Sequence, residues 1–389
     1  MRRPLGLTAG VAVALLASAC GTSTASQGGA SSTGPIRIAV MGIFSGSNAT
    51  PGSDNGLKLA VDEINAAGGI SGRQIQYKEF NTDITPQGAA TATSLALQYQ
   101  PDIMIGYSVS AGLKASISQI NSAGIPVIHT TLDQITSPDS LGSQLTFRLQ
   151  LTTSQFASAA DDYLFSTAGV KSMMVINTQD AAPTDGGSQI LSEAAKGSIT
   201  TAHRAVSPTV TDLTEPILAA KSMGAQAIWE WGYATTDALA IKTAAANGYH
   251  GDIMTFSAGT AARVGLIPSS LLTSSIYSVS ATCSPNVLMT PQAQKYDAAY
   301  QAKFGTPVND SVESNWYDAV YLYKQAVVQA GSTDPKKVAS ALSSIDYQGI
   351  CGEEKADSHH NLLHAMPIIH FPGAVPTLAK FVTNVQSSY

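Results

Sequence analysis

The chain has no run of lysine or arginine that could follow a phosphate backbone. Its 21 basic residues are scattered and outnumbered by 27 acidic ones, for a net charge of −6. Nucleic acid is therefore not an expected partner. Beyond the first twenty residues there is no stretch of about 20 apolar residues, so no membrane-spanning helix is expected. Motifs of phosphate and cofactor chemistry are missing too: neither a P-loop nor a Gly-x-Gly-x-x-Gly fingerprint occurs. The nearest approach to a nucleophile elbow, Gly106-Tyr107-Ser108-Val109-Ser110, ends in serine where the sharp turn requires glycine. Neither an enzyme nor a cofactor is expected. Cysteine is scarce, with Cys20, Cys283 and Cys351 the whole complement of 3.

What is present begins at the first residue. Met1-Arg2-Arg3 carries two positive charges and leads into Leu5 to Ala19, an apolar stretch too short to cross a bilayer and of the form of a secretory signal. It closes on Leu16-Ala17-Ser18-Ala19-Cys20-Gly21, which resembles the bacterial lipobox, cleaved so that Cys20 becomes an acylated N-terminus; Ala17 stands where leucine is commoner. Gly21 to Pro35 is almost all Gly, Ser, Thr and Ala, a composition that buries no core and is expected to act as a flexible linker. Residues 1–19 are thus read as a signal peptide and 20–35 as lipid anchor and linker, holding the rest on the extracytoplasmic face of the cell membrane. With Cys20 assigned to lipid, Cys283 and Cys351 favour a disulfide over two buried free thiols.

About 350 residues remain, more than one core usually organises, so two domains are expected. From Ile36 the pattern alternates. Short β-branched runs (Ile36 to Val40, Asp102 to Ile105, Pro126 to Ile128, Met173 to Ile176, Ala225 to Trp229, Ile253 to Phe256) are each followed by a segment of helical period. Leu57, Leu59, Ala60, Val61 and Ile64 mark the first helix, which is expected to stop at Gly68-Gly69. Asp212-Leu213-Thr214-Glu215 has the form of a capping box. The alternation predicts an α/β fold of parallel sheets covered by helices on both faces. In such sheets ligands bind beyond the carboxyl ends of the strands, so the informative loops hold Ser45 to Asn48, Ser108 to Ala111, Thr130 to Asp133, Asn177 to Asp180 and Trp231 to Tyr233. Hydroxyls and free N–H groups at helix starts suit an anion, although capping alone explains many such residues. By alternation Trp229 and Trp231 face one side of their strand and Glu230 the other. His359, His360, His364 and His370 crowd a short segment; no further ligand has convincing spacing for a metal, and a structural or surface role is expected.

The string Glu63-Ile64-Asn65-Ala66-Ala67-Gly68-Gly69-Ile70-Ser71-Gly72-Arg73, preceded by Gly42-Ile43-Phe44-Ser45-Gly46, resembles the periplasmic binding proteins of the leucine/isoleucine/valine type. Gly124 to Ile128, Thr146-Phe147-Arg148 and Trp231-Gly232-Tyr233 extend the likeness over nearly everything after residue 35. The resemblance implies the type I fold: two Rossmann-like lobes joined by three hinge crossings, with 36–149 plus 282–350 as lobe one and 150–281 plus 351–389 as lobe two. Cys283 and Cys351 then fall beside the second and third crossings. It also implies a clamp that binds a small molecule and serves an ABC importer through permease and ATPase subunits, with a ligand sensor of the same shape as the alternative. Ser110 matches the serine that holds the ligand's carboxylate, Thr130 and Thr131 lie in the neighbouring loop, and Tyr233 matches an aromatic of the second lobe. The expected site is Ser45, Ser108, Ser110, Thr130, Thr131, Asp133, Asp180, Trp231 and Tyr233. One departure bears on the ligand. The acidic residue that meets an α-ammonium is replaced by Ser257-Ala258-Gly259, so an amino acid requires Asp133, Asp180 or Glu230 as substitute. Otherwise a carboxylate without an amine, or a neutral amide, is implied.

Overall fold

The computed structural model describes residues 34–46, 49, 52–279, 290–306, 308, 311–350 and 352–385. Cys20, Cys283 and Cys351, and with them the lipid anchor and the disulfide, lie outside these residues, as do Ser47 and Asn48.

Continuous apolar runs become central strands. In β1 (Ile36–Gly42) every residue except Arg37 is buried, as a strand covered on both faces requires. It lies between β2 (Ile75–Asn81) and β3 (Ile103–Gly106), with β4 (Val127–His129) and β5 (Thr146–Arg148) beyond, in the all-parallel order β2-β1-β3-β4-β5. The helix Asn55–Ala66 buries Leu57, Leu59, Ala60, Val61 and Ile64, the expected stripe, and packs on the helix Ser311–Ala330. It ends where Gly68 and Gly69 take φ of +98° and +81°, and a Cβ on Gly69 would meet the Arg73 carbonyl oxygen at 2.1 Å. Arg73 in turn grips the point where the chain enters the sheet, donating from Nε to the Gly34 carbonyl at 2.7 Å and from its two terminal nitrogens to the Pro35 carbonyl and the Thr333 hydroxyl.

The second lobe's sheet holds β6 (Ser172–Thr178), β7 (Thr200–Val206), β8 (Ala227–Trp231), β9 (Asp252–Thr255) and β10 (Ile276–Val279). After a two-stranded hairpin of β11 (Asp346–Gly349) and β12 (Gly352–Lys355), the chain returns to add β13 (Met366–His370) and β14 (Thr377–Val382), giving the order β14-β13-β10-β9-β8-β6-β7. Strands β6 to β10 are parallel, but β13 and β14 are antiparallel, so the expectation of parallel sheets holds for the first sheet and is corrected for the second. The physical reason is the route: β13 and β14 arrive from the other lobe and from each other by short connections, with no crossover helix to return the chain parallel.

Leu149 to Thr152 carry the chain from the first lobe to the second. The returning segment runs beside them, with the Arg148 N–H donating to the His360 carbonyl at 2.9 Å and the Leu362 N–H to the Arg148 carbonyl at 2.8 Å. A single apolar core continues from Val40 and Ile105 through Leu149, Leu151 and Phe156 to Trp229 and Trp231. Two of the clustered histidines, His360 and His364, lie at this junction. His360 is buried, stacks on Phe147 with centroids 4.5 Å apart and bonds the Thr146 carbonyl through Nδ1 at 3.1 Å. His364 places its Nε2 2.9 Å from the Lys355 carbonyl, and His370 stacks on Tyr277. Among the described residues, no three His, Cys, Asp or Glu side chains are placed to hold one metal ion, and no helix is long and apolar enough to cross a membrane.

One local expectation is corrected. Asp212 does not form a capping box with Glu215: its Oδ1 accepts from both the N–H (2.8 Å) and the hydroxyl (2.6 Å) of Thr214, and Glu215 pairs instead with Arg204 at 2.9 Å. The short Asx turn satisfies Asp212 two residues on, and a cation on the neighbouring strand attracts Glu215 outward.

Candidate ligand-binding site

Each expected site residue lies beyond the carboxyl end of a strand: Ser45 after β1, Ser108 and Ser110 after β3, Thr130, Thr131 and Asp133 after β4, Asp180 after β6, and Tyr233 after β8, with Trp231 at the last position of β8. Ser45 is exposed, and its loop is pinned by Asn81 at the end of β2, whose Oδ1 accepts from the N–H groups of Phe44 (2.8 Å) and Ser45 (3.1 Å).

The turn after β3 is unusual. Gly106 takes φ +134°, where a Cβ would meet the Met41 carbonyl oxygen at 2.1 Å. Tyr107 takes a left-handed φ of +59°, a conformation that a bulky residue adopts only when its surroundings impose it. Its side chain is buried and its hydroxyl lies 2.6 Å from Thr93 Oγ1, which donates on to Ser116 Oγ. Burial pushes the Tyr107 phenol up to about 12, so it stays protonated and the network intact. This anchor lifts Ser108 into solvent and sets Ser110, 6% exposed, as the first residue of the 14-residue helix Ser110–Ala123, where free N–H groups and the helix dipole favour an anion.

The two threonines after β4 separate. Thr131 belongs to the fold: its hydroxyl lies 2.9 Å from His129 Nδ1 and 2.6 Å from Thr136 Oγ1, and Arg148 completes the cluster by donating to Thr136 and to the carbonyls of Leu132 and Asp133. Burial and the Arg148 charge hold His129 well below its ordinary value, hence neutral. Thr130 is 4% exposed and its hydroxyl has no partner among the described residues, and Oδ1 of Asp133 is likewise buried and unmatched among them.

In the second lobe, the alternation along β8 is realised. Trp231 is buried, stacked between Trp229 (5.3 Å) and Phe256 (5.0 Å) with Phe156 edge-on, and covered by Gly186 of the helix Ala181–Lys196. Glu230 faces the opposite side, fully buried with Asp237, whose Oδ2 accepts from the Ser257 N–H at 2.5 Å. Burial and the neighbouring Asp237 push Glu230 well above the usual carboxylate range, and burial raises Asp237 to about 6. A protonated acid on this side braces the loops and is no counter-ion for a solute. Tyr233, 47% exposed, extends from the loop and its hydroxyl bonds the Asp180 carboxylate; burial and that carboxylate raise the phenol. Asp180 Oδ2 is buried without a hydrogen-bond partner among the described residues, and Asp180 makes no capping bond to its own helix.

Thr153, at the start of the first helix after the crossing, joins the two loop sets. Its N–H donates to the Leu132 carbonyl at 3.3 Å, and its hydroxyl donates to the Asp185 carboxylate, on the helix that Asp180 begins. Sequence reasoning missed Thr153, Asn81 and Tyr107. Thr153 and Asn81 act through loop contacts between strands far apart in the chain, which leave no periodic signal; Tyr107 acts through a left-handed backbone that no residue pattern announces. A groove of about 840 Å³ lies elsewhere, on the outer edge between β2 and the helix Pro86–Gln98.

A family model described as "Periplasmic binding protein" matches residues 35–373. The chain belongs to the periplasmic binding protein family. Among curated relatives of this family member, "Leu/Ile/Val-binding protein homolog 8" of Brucella suis biovar 1 is 23% identical over 353 residues, covering 85% of this chain and 86% of the relative. Among solved structures, the branched-chain amino acid transporter substrate binding protein LivJ from Streptococcus pneumoniae, in complex with isoleucine, superposes with a TM-score of 0.75 at 23% identity, covering 89% of this chain and 99% of the other. An ABC transporter solute binding protein from R. palustris, in complex with benzoate, gives 0.74 at 19% identity, covering 91% and 98%. These likenesses fix the two-lobed fold.

Proposed function

We propose that the protein is the solute-binding component of an ABC importer: an extracytoplasmic clamp, tethered through acylated Cys20, that takes an amino acid or another small carboxylate-bearing solute between its lobes and delivers it to permease subunits driven by their ATPase. It is a binding protein and not an enzyme. The observation that carries the reading is a set of polar groups the fold leaves unused at the carboxyl ends of both sheets. The first lobe offers the helix start at Ser110 and the Thr130 hydroxyl, the second offers Tyr233 and Asp180, and Thr153 joins the loops behind them. A solute that meets groups of both lobes stabilises the closed form, because only that form offers both sets. In this reading Ser45 and Ser108 line the mouth, Trp231 backs the Tyr233 wall, lobe one is 36–149 plus 282–350 and lobe two 150–281 plus 351–389, and a Cys283–Cys351 bridge restrains the hinge without closing the cleft.

Import is favoured over sensing because the relatives whose printed names state a role are transporter components. A thermal-shift screen of the chain from residue 21 against amino acids, aromatic carboxylates and amides tests the reading. A ligand that raises the unfolding temperature and loses its effect in Ser110→Ala supports it; no response to any class argues against it. Intact-mass analysis of the membrane-extracted chain tests the tether, since acylation at Cys20 adds the mass of its acyl chains and Cys20→Ser abolishes it.

A further inference from the structure

The first sheet ends on β2, and the parity of that strand decides which of its backbone groups the sheet uses. The Ile36 N–H donates to the Gln74 carbonyl at 2.9 Å and the Thr82 N–H to the Gly42 carbonyl at 2.8 Å. Even-numbered residues of β2 therefore turn their backbone groups toward β1, and odd-numbered ones turn theirs out from the edge. At Ile75 the outward groups are closed off, because Asn65 accepts from its N–H at 2.7 Å and donates to its carbonyl at 2.9 Å. Those of Tyr77, Glu79 and Asn81 have no partner among the described residues. Two other edges are guarded. The returning segment bridges to β5 at Asn361, and the carbonyl of His203, midway along β7, accepts from the Arg204 guanidinium at 2.9 Å.

The groove of about 840 Å³ runs along this open stretch. Phe80 and Tyr99, with centroids 6.1 Å apart, lie in it, and Leu95 on its helix wall is 51% exposed. Ile84, next to the lining residue Asp83, is 49% exposed. The charges of the groove are divided along its length, with Lys78 within β2 and Asp83 just past the carboxyl end. Both charged side chains of the strand itself are engaged at home: Lys78 Nζ stands 5.4 Å over the Phe80 ring, and Glu79 is held by Lys58 at 3.1 Å.

We propose that this edge is the docking surface for a second copy of the chain, with β2 pairing antiparallel to β2 about a two-fold axis at Glu79. An open strand edge is a template for another strand. A second copy fits because the groove complements its own reverse: antiparallel pairing sets the Lys78 end of each toward the Asp83 end of the other. The register follows from which groups are open. With Ile75 closed by Asn65 and the strand ending at Asn81, an axis at Glu79 is the one that pairs all three open residues, Tyr77 with the partner's Asn81 and Glu79 with the partner's Glu79. The two Glu79 carboxylates meet as ion pairs, each with the Lys58 of its own subunit. Two five-stranded sheets become one, with Leu95 and Ile84 of both copies flanking the seam. The antiparallel arrangement also turns the loops of Ser110 and Thr130 to opposite ends of the joint sheet in the two copies, so a membrane partner meeting one set does not meet the other.

The test is sedimentation velocity of the chain from residue 21 across about a hundredfold range of concentration, up to about 100 μM. The wild-type chain is expected to pass from monomer to dimer. Glu79→Pro removes the N–H groups exchanged at the axis, a change an edge strand tolerates when the lost N–H points outward. Lys78→Glu keeps the backbone and turns the attraction at both ends of the seam into repulsion. Each should weaken the dimer about tenfold or more, with the urea midpoint of Lys78→Glu close to that of the wild type. On membranes, Glu79→Cys treated with copper phenanthroline should give a reducible dimer beyond the wild-type background, since Cα atoms of a hydrogen-bonded antiparallel pair lie about 5.5 Å apart, within reach of a disulfide. Ser188→Cys, exposed on the second lobe, should not. A chain that stays monomeric throughout the range overturns the assignment and leaves the edge to a strand of another protein. A dimer that both variants leave intact overturns it as well, as does a Glu79→Cys chain that crosslinks no more than Ser188→Cys.

Discussion

Asp318 and Glu354 meet as a hydrogen-bonded carboxyl pair in the interior, where the helix Ser311–Ala330 packs on the β11–β12 hairpin, and Gly349 lies so close that a Cβ there would sit 2.6 Å from the Glu354 carboxylate. The Ile350 N–H donates to Asp318 at 2.9 Å. Burial raises Asp318 to about 7, and burial with the neighbouring Asp318 holds Glu354 well above the usual range. In the unfolded chain both groups ionise near pH 4; in the fold they keep protons to about pH 7 and above. The folded state therefore binds more protons across that window, and stability falls as pH rises from about 4 to about 7. Urea unfolding at pH 4.5 and 7.5 should show the decline. In Glu354→Gln, whose amide donates to Asp318, the decline should shrink by about 2 kcal/mol, the worth of one to two pKa units. An unchanged slope would argue that the pair is ionised in the fold.

The two threonines after β4 should respond in opposite ways. Thr131 spends its hydroxyl on His129 and Thr136, so Thr131→Val should destabilise by about 1–3 kcal/mol through partners left unmatched. The Thr130 hydroxyl makes no bond among the described residues, so Thr130→Val should leave the denaturation midpoint unchanged or higher while weakening solute binding. Chemical denaturation and a ligand titration on the two variants decide the matter.

At Gly186 there is no room. A Cβ would stand 2.5–2.7 Å from three ring atoms of Trp231, so Gly186→Ala should displace the Trp229–Trp231–Phe256 stack and cost about 1–3 kcal/mol. A changed tryptophan emission spectrum with a lowered melting temperature is the expected signature.

Gly106→Ala should be worse, because it adds a left-handed backbone penalty to contact with the Met41 carbonyl of the neighbouring strand. Loss of soluble protein, or destabilisation above about 3 kcal/mol in denaturant, is expected. Tyr107→Phe removes the hydroxyl's bonds to Thr93 and the Met104 sulfur and should cost about 1 kcal/mol, with a larger effect on solute affinity than on the fold, since the turn it braces carries Ser108 and Ser110.

Much of the fold was legible in the sequence because central strands and amphipathic helices announce themselves. Ile36 to Val40 and Met173 to Ile176 are buried on both faces, and Leu57 to Ile64 repeat at helical spacing. Edge strands gave less. Thr200–Val206 is half exposed and polar, and β13 joins the sheet beside β10, whose residues Ile276–Val279 lie far earlier in the chain, a pairing no local pattern encodes. For the candidate site, the strand-end rule pointed to the loops, but not to which hydroxyl in each the fold occupies. Thr130 and Thr131 are adjacent and chemically identical, and only the positions of His129, Thr136 and Arg148 assign one to the fold and leave the other unused. The same holds for acids: Glu230 and Asp180 are both candidates in sequence, and the face of β8 decides between them.

The grip of Arg73 on Gly34 and Pro35 has a mechanical side. The chain enters the first sheet at the amino end of β1, the edge opposite the loops of Ser110 and Thr130. A pull applied at Gly34 against the far edge of the sheet acts on β1 along its own axis. Seven residues of register with β2 and four with β3 then resist together in shear, after the Arg73 fork has given way, whereas a pull across the sheet would part them one at a time. The entry point thus puts a load arriving at Gly34 on β1 and its two neighbours, at the end of the sheet away from the loops of Ser110 and Thr130.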